Sequence, residues 1–183
     1  MLEIKILREE SIDDGLAQRI IELDRQNMRT TLEQAGLDFP EENRRKGFQR
    51  NPTLIVAFEG DDIVGYVEYV RSWNDPRYIY LSSLQILPKH RHTKLILQLM
   101  DKLIDALRGE DFMGFETNVQ KVNTSVVELC RKAGFQLTPN PRNEASWLAT
   151  AGPELLQQSP LITLINKWKR KTDEHGSSLA RKP

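Results

Sequence analysis

The sequence predicts a single α/β (α+β) domain in which helices flank a mixed, mostly antiparallel central sheet. Two observations support this class. Short runs rich in β-branched and aromatic residues alternate with longer segments of helical periodicity, and one pair of runs has the pattern of a hairpin. The length of 183 residues allows one domain with a sizeable core. We place that domain at residues 1–150 and a C-terminal helical extension with a polar tail at residues 151–183.

The first half of the chain carries the clearest strand signals. Leu2–Leu7 alternates as LEIKIL and predicts a short strand, and Ser11–Gln34 predicts a helix with Ser11 as its N-cap. The next segment, AGLDFPEENRRKGFQRNP, is polar and interrupted by Gly and Pro, which predicts a loop with room for one helical turn. In TLIVAFEGDDIVGYVEYV, turn-forming residues separate two β-rich runs, so this segment predicts a hairpin.

The second half alternates strands and helices. YIYLSSLQIL predicts a strand that Pro88 ends, because proline cannot donate to a strand ladder. Thr93–Arg108 predicts an amphipathic helix, FMGFETNV a fifth strand, and Asn123–Ala133 a helix that Gly134 ends in a left-handed conformation. FQLT and SWLAT predict two last strands. Leu155–Trp168 predicts a further helix, and KRKTDEHGSSLARKP a mobile polar tail.

The composition argues against several functional classes. Lys+Arg and Asp+Glu each number 26, so the net charge is zero and does not favour a nucleic-acid binder. The apolar runs are too short to cross a bilayer, and the N-terminus lacks the apolar core of an export signal. Cys130 is the single cysteine, and the three histidines are dispersed, so no zinc pattern is present. We therefore expect a cytoplasmic protein with no metal and no nucleic-acid or membrane partner.

A strand, turn and helix at residues 86–96 read ILPKHRHTKLI. This stretch resembles the motif V-x-P-x-x-R-x-x-G-x-G/A of the GNAT family, the acyl-CoA-dependent N-acyltransferases. The strand end, Pro88 and Arg91 match the motif in register. The two glycine positions hold Lys94 and Ile96 instead.

A second stretch, NTSVVELCRKAGF at residues 123–135, is similar to the GNAT helix N-x-x-A-x-x-x-Y-x-x-x-G-F. Asn123, Gly134 and Phe135 match, whereas Cys130 occupies the tyrosine position. The order of the two motifs and the upstream hairpin fit the family over roughly Leu2 to Thr150. The resemblance implies a GNAT-like fold in which the two central strands diverge near Leu84.

The resemblance also implies that acetyl-CoA or another acyl-CoA is the co-substrate. In the family, the CoA pyrophosphate rests on backbone N–H groups that open the helix, where unpaired donors and the helix dipole favour an anion. Glycines ease the approach of the anion but do not supply the donors. The alternative is a solvated helix start that binds nothing. The implied cofactor-binding residues are Leu84, Ile86, Arg91, His92, Thr93, Lys94, Leu95, Ile96 and Asn123.

Acyl transfer to an amine requires a base, a donor that stabilises the developing oxyanion, and a proton for the departing thiolate. The resemblance implies that a backbone N–H within Leu84–Ile86 polarises the thioester oxygen. That strand carries no acid, so Glu68 and Glu116 on other strands are the candidate bases; the alternative is that both are outward-facing strand residues. Cys130 is the candidate proton donor, although a packed residue is the favoured interpretation.

These observations favour an N-acyltransferase, most simply an acetyltransferase, that acts on a small-molecule or protein amine. A homodimer is compatible with the sequence. The alternative is a non-catalytic GNAT-like module that binds a CoA-like ligand or protein partners. In a third interpretation, the basic segment LITLINKWKRK docks on an acidic partner or a membrane surface. The balanced net charge favours a helix packed on its own domain instead.

Overall fold

The computed structural model describes residues 1–8, 12–91, 94–158, 162, 163, 165–167, 169 and 170 of the chain. Several sequence predictions fall outside the described residues. These are the cofactor-binding residues His92 and Thr93, Trp168 at the end of the last predicted helix, and the part of the polar tail at residues 171–183.

Seven strands form one sheet in the order β1-β2-β3-β4-β5-β7-β6. All neighbouring strands are antiparallel except β4 and β5, which are parallel. The predicted mixed, mostly antiparallel sheet flanked by helices is therefore confirmed. The strands are β1 (Leu2–Leu7), β2 (Thr53–Glu59), β3 (Asp62–Arg71), β4 (Tyr78–Ile86), β5 (Gly114–Gln120), β6 (Gln136–Pro139) and β7 (Ser146–Ala151). The helices are α1 (Asp14–Ala35), α2 (Glu41–Phe48), α3 (Leu95–Leu107), α4 (Thr124–Ala133) and α5 (Leu155–Gln158).

Helix α2 occupies eight residues of a segment that the sequence predicted as a loop with room for one helical turn. Glu41 and Glu42 lie in its first turn and Arg45 and Lys46 in its last turn, so the charges complement the helix dipole. Side chains four residues apart pair on its surface, with Arg45 Nη2 2.8 Å from Glu41 Oε1 and Lys46 Nζ 2.7 Å from Glu42 Oε1. The polar composition that suggested a loop therefore belongs to a helix that is stabilised by ion pairs.

The ends of α1 and α4 follow from local side-chain chemistry. Asp13, and not Ser11 as predicted, is the N-cap of α1, and its Oδ1 accepts a hydrogen bond from Leu16 N at 2.7 Å. Asn123 begins α4 in the same way, accepting from Val126 N at 3.3 Å. Gly134 ends α4 with φ of 99°, the left-handed conformation that the sequence predicted.

Helices pack on both faces of the sheet. On one face, α1 contributes Ile20 and Leu23 to a cluster with residues of β2 and β3, namely Leu54, Val56, Ile63 and Tyr66. On the opposite face, every fourth residue of α3 from Leu95 to Leu107 is buried against residues such as Ile55, Val67 and Phe115. Because β3 is covered on both faces, its side chains are buried from residue 63 to residue 69.

Strands β4 and β5 pair only where they begin. Tyr78–Tyr80 pairs with Gly114–Glu116, and the two strands then diverge, since β4 continues to Ile86 beside β3 and β5 continues to Gln120 beside β7. The divergence predicted near Leu84 is confirmed and begins after Tyr80, earlier than expected. A cleft therefore opens between the second halves of these two strands.

The C-terminal segment contacts the domain. Ile165 is buried, with 1% of its surface exposed, and Lys169 Nζ lies 2.5 Å from Asp101 Oδ1 of α3. These contacts favour a segment packed on its own domain over a free docking arm, while the domain boundary at residue 150 stays a prediction. Within the described residues, no helix has the length and apolar character needed to cross a membrane.

Candidate functional site

The divergence directs part of the β4 backbone into the cleft. Leu87 N donates to Val64 O at 2.9 Å, and Gln85 pairs with Tyr66, so the backbones of residues 85 and 87 face β3. Because the hydrogen-bonding direction alternates along a strand, Leu84 and Ile86 direct their N–H groups to the opposite side, which β5 has left open. The structure thus places the two predicted oxyanion donors at the cleft.

Asn27 of α1 and Arg91 contact the end of β4. Asn27 Nδ2 donates to Gln85 Oε1 and to Ile86 O, both at 3.2 Å. Arg91 Nε donates to Ile86 O at 3.2 Å, and Arg91 Nη2 donates to Asn27 Oδ1 at 3.3 Å. Arg91, which was predicted to contact the cofactor, is thus held against the strand end. Asn27 is a cleft residue that sequence reasoning missed, since nothing local distinguishes it from the other polar residues of a long helix.

The predicted anion site lies at the start of α3. Lys94 is the N-cap residue, makes no side-chain cap hydrogen bond and is exposed, and no acidic side chain lies in the first turn. Leu95 is 1% exposed and packs in the core, so only its backbone could face a ligand. Ile96 is half-buried. The first turn of α3 therefore presents the positive end of the helix dipole and carries no acidic side chain of its own, a setting that favours an anion.

Two other predicted residues have structural partners. Asn123 caps α4, as described above. Cys130 is buried in a cluster with Val119, Val127 and Ala149, and burial raises the pKa of its thiol. These contacts support the packing interpretation of Cys130, and its role as a proton donor stays a prediction.

Glu68 belongs to a buried network of charged and hydroxyl groups. Glu68 Oε2 lies 2.5 Å from Arg44 Nη2, and Asp24 Oδ2 lies 2.5 Å from Arg44 Nε. The hydroxyl of Tyr66 donates to Asp24 and lies 2.9 Å from Ser83 Oγ. Both carboxylates belong to residues that are only 2% exposed. The interpretation of Glu68 as an outward-facing strand residue is therefore wrong.

The Arg44 guanidinium forms ion pairs with both carboxylates of this buried network, those of Asp24 and Glu68. Burial raises the pKa of Asp24 and of Glu68, and the charge and hydrogen bonds of Arg44 oppose that rise. Burial lowers the pKa of Arg44, but Tyr66, Glu68 and Asp24 raise it by more, so the guanidinium remains charged. The network joins α1, α2 and β3, and it leaves Glu68 little surface with which to reach an acceptor amine.

Glu116 has a different environment, at the point where β4 and β5 diverge. It is half-buried, and its Oε2 accepts a hydrogen bond from Ser72 Oγ at 2.8 Å. Its sheet neighbour Tyr80 packs against Trp73, with ring centroids 4.6 Å apart and an interplanar angle of 56°. Of the two predicted bases, Glu116 is the less buried, and it lies where β4 and β5 begin to diverge.

Among the described residues, no group of three or more His, Cys, Asp or Glu side chains is arranged to hold a metal ion.

Comparison with known proteins gives a consistent pattern. A family model described as the Acetyltransferase (GNAT) family matches residues 17–135. PaiA N-acetyltransferase from Thermoplasma acidophilum, solved in complex with coenzyme A, is 16% identical with a TM-score of 0.62, covering 83% of this chain and 99% of that chain. An acetyltransferase from Streptococcus agalactiae is 16% identical with a TM-score of 0.66, covering 82% and 98%.

A third similar structure is diaminobutyrate acetyltransferase EctA from Paenibacillus lautus, in complex with its substrate L-2,4-diaminobutyric acid and coenzyme A. It is 19% identical with a TM-score of 0.54, covering 84% of this chain and 96% of that chain. No curated protein matches the sequence.

Proposed function

Because the chain belongs to the GNAT acetyltransferase family, we propose that it transfers an acyl group, most simply acetyl, from acyl-CoA to an amine of a small-molecule or protein acceptor. The observation that carries this proposal is the divergence of β4 and β5, with the N–H groups of Leu84 and Ile86 facing the gap. Two of the similar structures were solved with coenzyme A, which supports acyl-CoA as the co-substrate.

The proposed reaction forms a bond between the amine nitrogen and the acyl carbon and breaks the bond between that carbon and the CoA sulfur. The N–H of Leu84 or Ile86 donates to the thioester oxygen as negative charge develops there. Glu116 pairs with Tyr80, four residues before Leu84 on β4, so it accepts the proton that the amine loses through an intervening water molecule. The departing thiolate takes up one proton from solvent; donation by Cys130 stays a prediction, because this residue is packed in a buried cluster. The products are an N-acylated amine and free CoA thiol.

The start of α3 is the proposed site for the CoA pyrophosphate. Leu95 is buried and fixes the first turn against the sheet, so the backbone donors of this turn have a defined position. Lys94 adds a positive charge beside them. The side chains at Lys94 and Ile96, where the family motif has glycine, narrow the approach of the anion.

Replacing both Lys94 and Ile96 with glycine should preserve or tighten CoA binding. The donors at this site are backbone groups, and loss of two side chains opens the approach to them. Glycine is tolerated at the N-cap position of Lys94, so the helix-propensity cost of about 1 kcal/mol applies only at Ile96. Calorimetric titration of wild type and variant with CoA measures the effect. The exposed α3 residue Lys102 provides the control, since Lys102→Gly carries the helix cost without opening the site.

Loss of CoA binding in the double-glycine variant, with Lys102→Gly unaffected, would contradict this placement of the pyrophosphate. Binding by the double-glycine variant alone, with no heat from wild type at millimolar CoA, would identify a degenerate site. The non-catalytic binding module would then replace the enzyme as the proposed function. The non-catalytic module remains a second candidate because both glycines of the family motif are replaced in this sequence.

A screen of primary amines with acetyl-CoA, in which released thiol is measured, tests the activity itself. With the best acceptor, Glu116→Gln should lower kcat by about 100-fold, the lower range for general base catalysis, because the carboxylate can act through water. Glu128→Gln, an exposed carboxylate on α4 that pairs with Arg131, is the matched control and should leave kcat unchanged. If both variants keep the wild-type kcat, Glu116 is not the base.

A further inference from the structure

A row of three side chains crosses the sheet beside the cleft. Val70 of β3 pairs with Tyr80 of β4, and Tyr80 pairs with Glu116 of β5. Paired residues on neighbouring strands share a face of the sheet, and neighbouring strands lie about 4.8 Å apart. Val70 and Glu116 are therefore about 10 Å apart on the same face. The carboxylate of Glu116 marks one end of this row.

The other end of the row opens into a pocket of about 680 Å³ that is lined by Arg50, Asn51, Val70, Arg71 and Trp73. The guanidinium of Arg50 lies over the Trp73 ring, 5.0 Å from its centroid. Trp73 in turn packs on Tyr80. Aromatic rings thus connect a cation at one end of the row to a carboxylate at the other.

The cations near this pocket differ in their partners. Arg71 is neutralised, since its Nη2 lies 2.7 Å from Glu110 Oε2 and its Nη1 donates to Asp111 O at 2.8 Å. In the part of the chain that the structure describes, the ion pairs include no carboxylate partner for Arg50. Arg50 therefore keeps its charge available to a ligand anion in the pocket.

The backbone fixes Arg50 at the rim of the pocket. Arg50 N donates to Gly47 O at 3.1 Å, continuing the last turn of α2. Asn51 then adopts φ of 51°, the left-handed conformation, which reverses the chain into β2. Among non-glycine residues asparagine tolerates this conformation best, and such backbone positions are enriched at ligand sites.

Electrostatics connect the two ends of the row. Burial raises the pKa of the Tyr80 phenol and hydrogen bonds from Asn118 lower it, while Glu116 raises it and Arg50 lowers it. Tyr80 is therefore close enough to Glu116 and to Arg50 for both charges to change its pKa. Asn118 Oδ1 accepts from Asn140 Nδ2 at 3.1 Å, which holds this side of the cleft in place.

We infer that the acceptor is a small amine that carries an anionic group, such as a carboxylate, several bonds from the reacting nitrogen. Glu116 faces the amine, the Trp73 and Tyr80 rings contact the connecting chain, and Arg50 binds the anion. This inference rests on the proposed acyltransferase function for its reaction, but its binding component can be measured without turnover.

The test uses linear ω-amino acids from 4-aminobutanoate to 8-aminooctanoate, each compared with its own carboxamide, at saturating acetyl-CoA. Wild type should acetylate the carboxylates with a lower KM than the carboxamides, and the longer members should be preferred. Arg50→Gln should raise KM for the carboxylates about fivefold, because Arg50 is exposed and its ion pair is screened, and should leave KM for the carboxamides and both kcat values unchanged. Arg50→Lys should retain part of the preference.

Lys46→Gln, which removes a neighbouring exposed cation on α2 that pairs with Glu42, is the matched control and should not alter the preference. The same compounds are titrated without acetyl-CoA by NMR, following the Trp73 indole signal. If thiol is released equally with carboxylates and carboxamides, or Arg50→Gln changes both alike, the acceptor inference is wrong while the acyltransferase function stands. If no amine releases thiol but the NMR titration shows the Arg50-dependent preference, the function fails and the anion site stands. No preference in either experiment overturns the inference.

Discussion

Arg44→Met should lower the free energy of unfolding by about 3–5 kcal/mol at neutral pH, because it leaves the carboxylates of Asp24 and Glu68 buried without their cation. The two ion pairs have N–O distances of 2.5 Å, and the Arg44 side chain is only 15% exposed. Methionine keeps a similar volume, so the loss of charge and not a cavity dominates the effect. The contact of the guanidinium with the Phe48 ring, 4.4 Å from its centroid, is lost as well.

The size of this effect should depend on pH. A carboxyl whose pKa is raised by folding stabilises the folded state below its unfolded pKa, and that contribution is lost as pH rises through the folded pKa. Burial already raises the pKa of Asp24 and of Glu68, and Arg44 limits the rise. Without Arg44 both pKa values should rise further. The stability difference between wild type and variant should therefore shrink as pH falls below neutral and the two carboxyls become protonated.

Urea unfolding at several pH values measures both expectations. Arg45→Met is the control, since Arg45 is the next residue on α2 and its ion pair with Glu41 is exposed, so it should cost less than about 1 kcal/mol. A loss of the same size in the two variants, or one that does not change with pH, would show that the buried network does not hold α2 on the sheet.

Ile86→Pro or Leu84→Pro should lower kcat by about 100- to 1,000-fold, the cost of removing one oxyanion donor. Proline lacks the backbone N–H, and at these two positions that group faces away from β3, so no hydrogen bond of the β3–β4 ladder is removed. Ile86→Ala and Leu84→Ala keep the N–H and should retain most of kcat. Only one of the two proline variants should show the full loss, which identifies the donor.

Rates are measured at saturating acetyl-CoA with the best amine of the screen, and thermal unfolding of each variant verifies the fold. If both proline variants fold and keep the wild-type kcat, the β4 backbone does not stabilise the oxyanion. If kcat falls in both proline variants and their melting temperatures fall as well, the loss of activity comes from distortion of the strand.

The local sequence determined most of the elements and several of their ends. The hairpin of β2 and β3, the apolar face of α3 and the glycine that ends α4 all depend on residues within a few positions of one another, and each was predicted correctly. The divergence of β4 and β5 and the placement of Leu84 and Ile86 at the cleft came through the resemblance to a family. The positions expected to bind CoA and to act in catalysis remain predictions.

Only the tertiary structure decided how the polar residues are used. Arg44 pairs with Asp24 and Glu68, which lie 20 and 24 positions away in the sequence, so no local pattern predicts the pairing. No local pattern predicted the full helix that carries Arg44 either. An acidic residue in a strand suggests a solvent-facing position, but β3 is covered by helices on both faces, and the carboxylate is buried with an arginine instead. The row of Val70, Tyr80 and Glu116 likewise forms only when three strands come together, through strand pairing and a parallel crossover that places residues 80 and 116 side by side. Helical and strand periodicity extend over a few residues, whereas the charges and rings of this cleft come from segments that only the folded chain brings into contact.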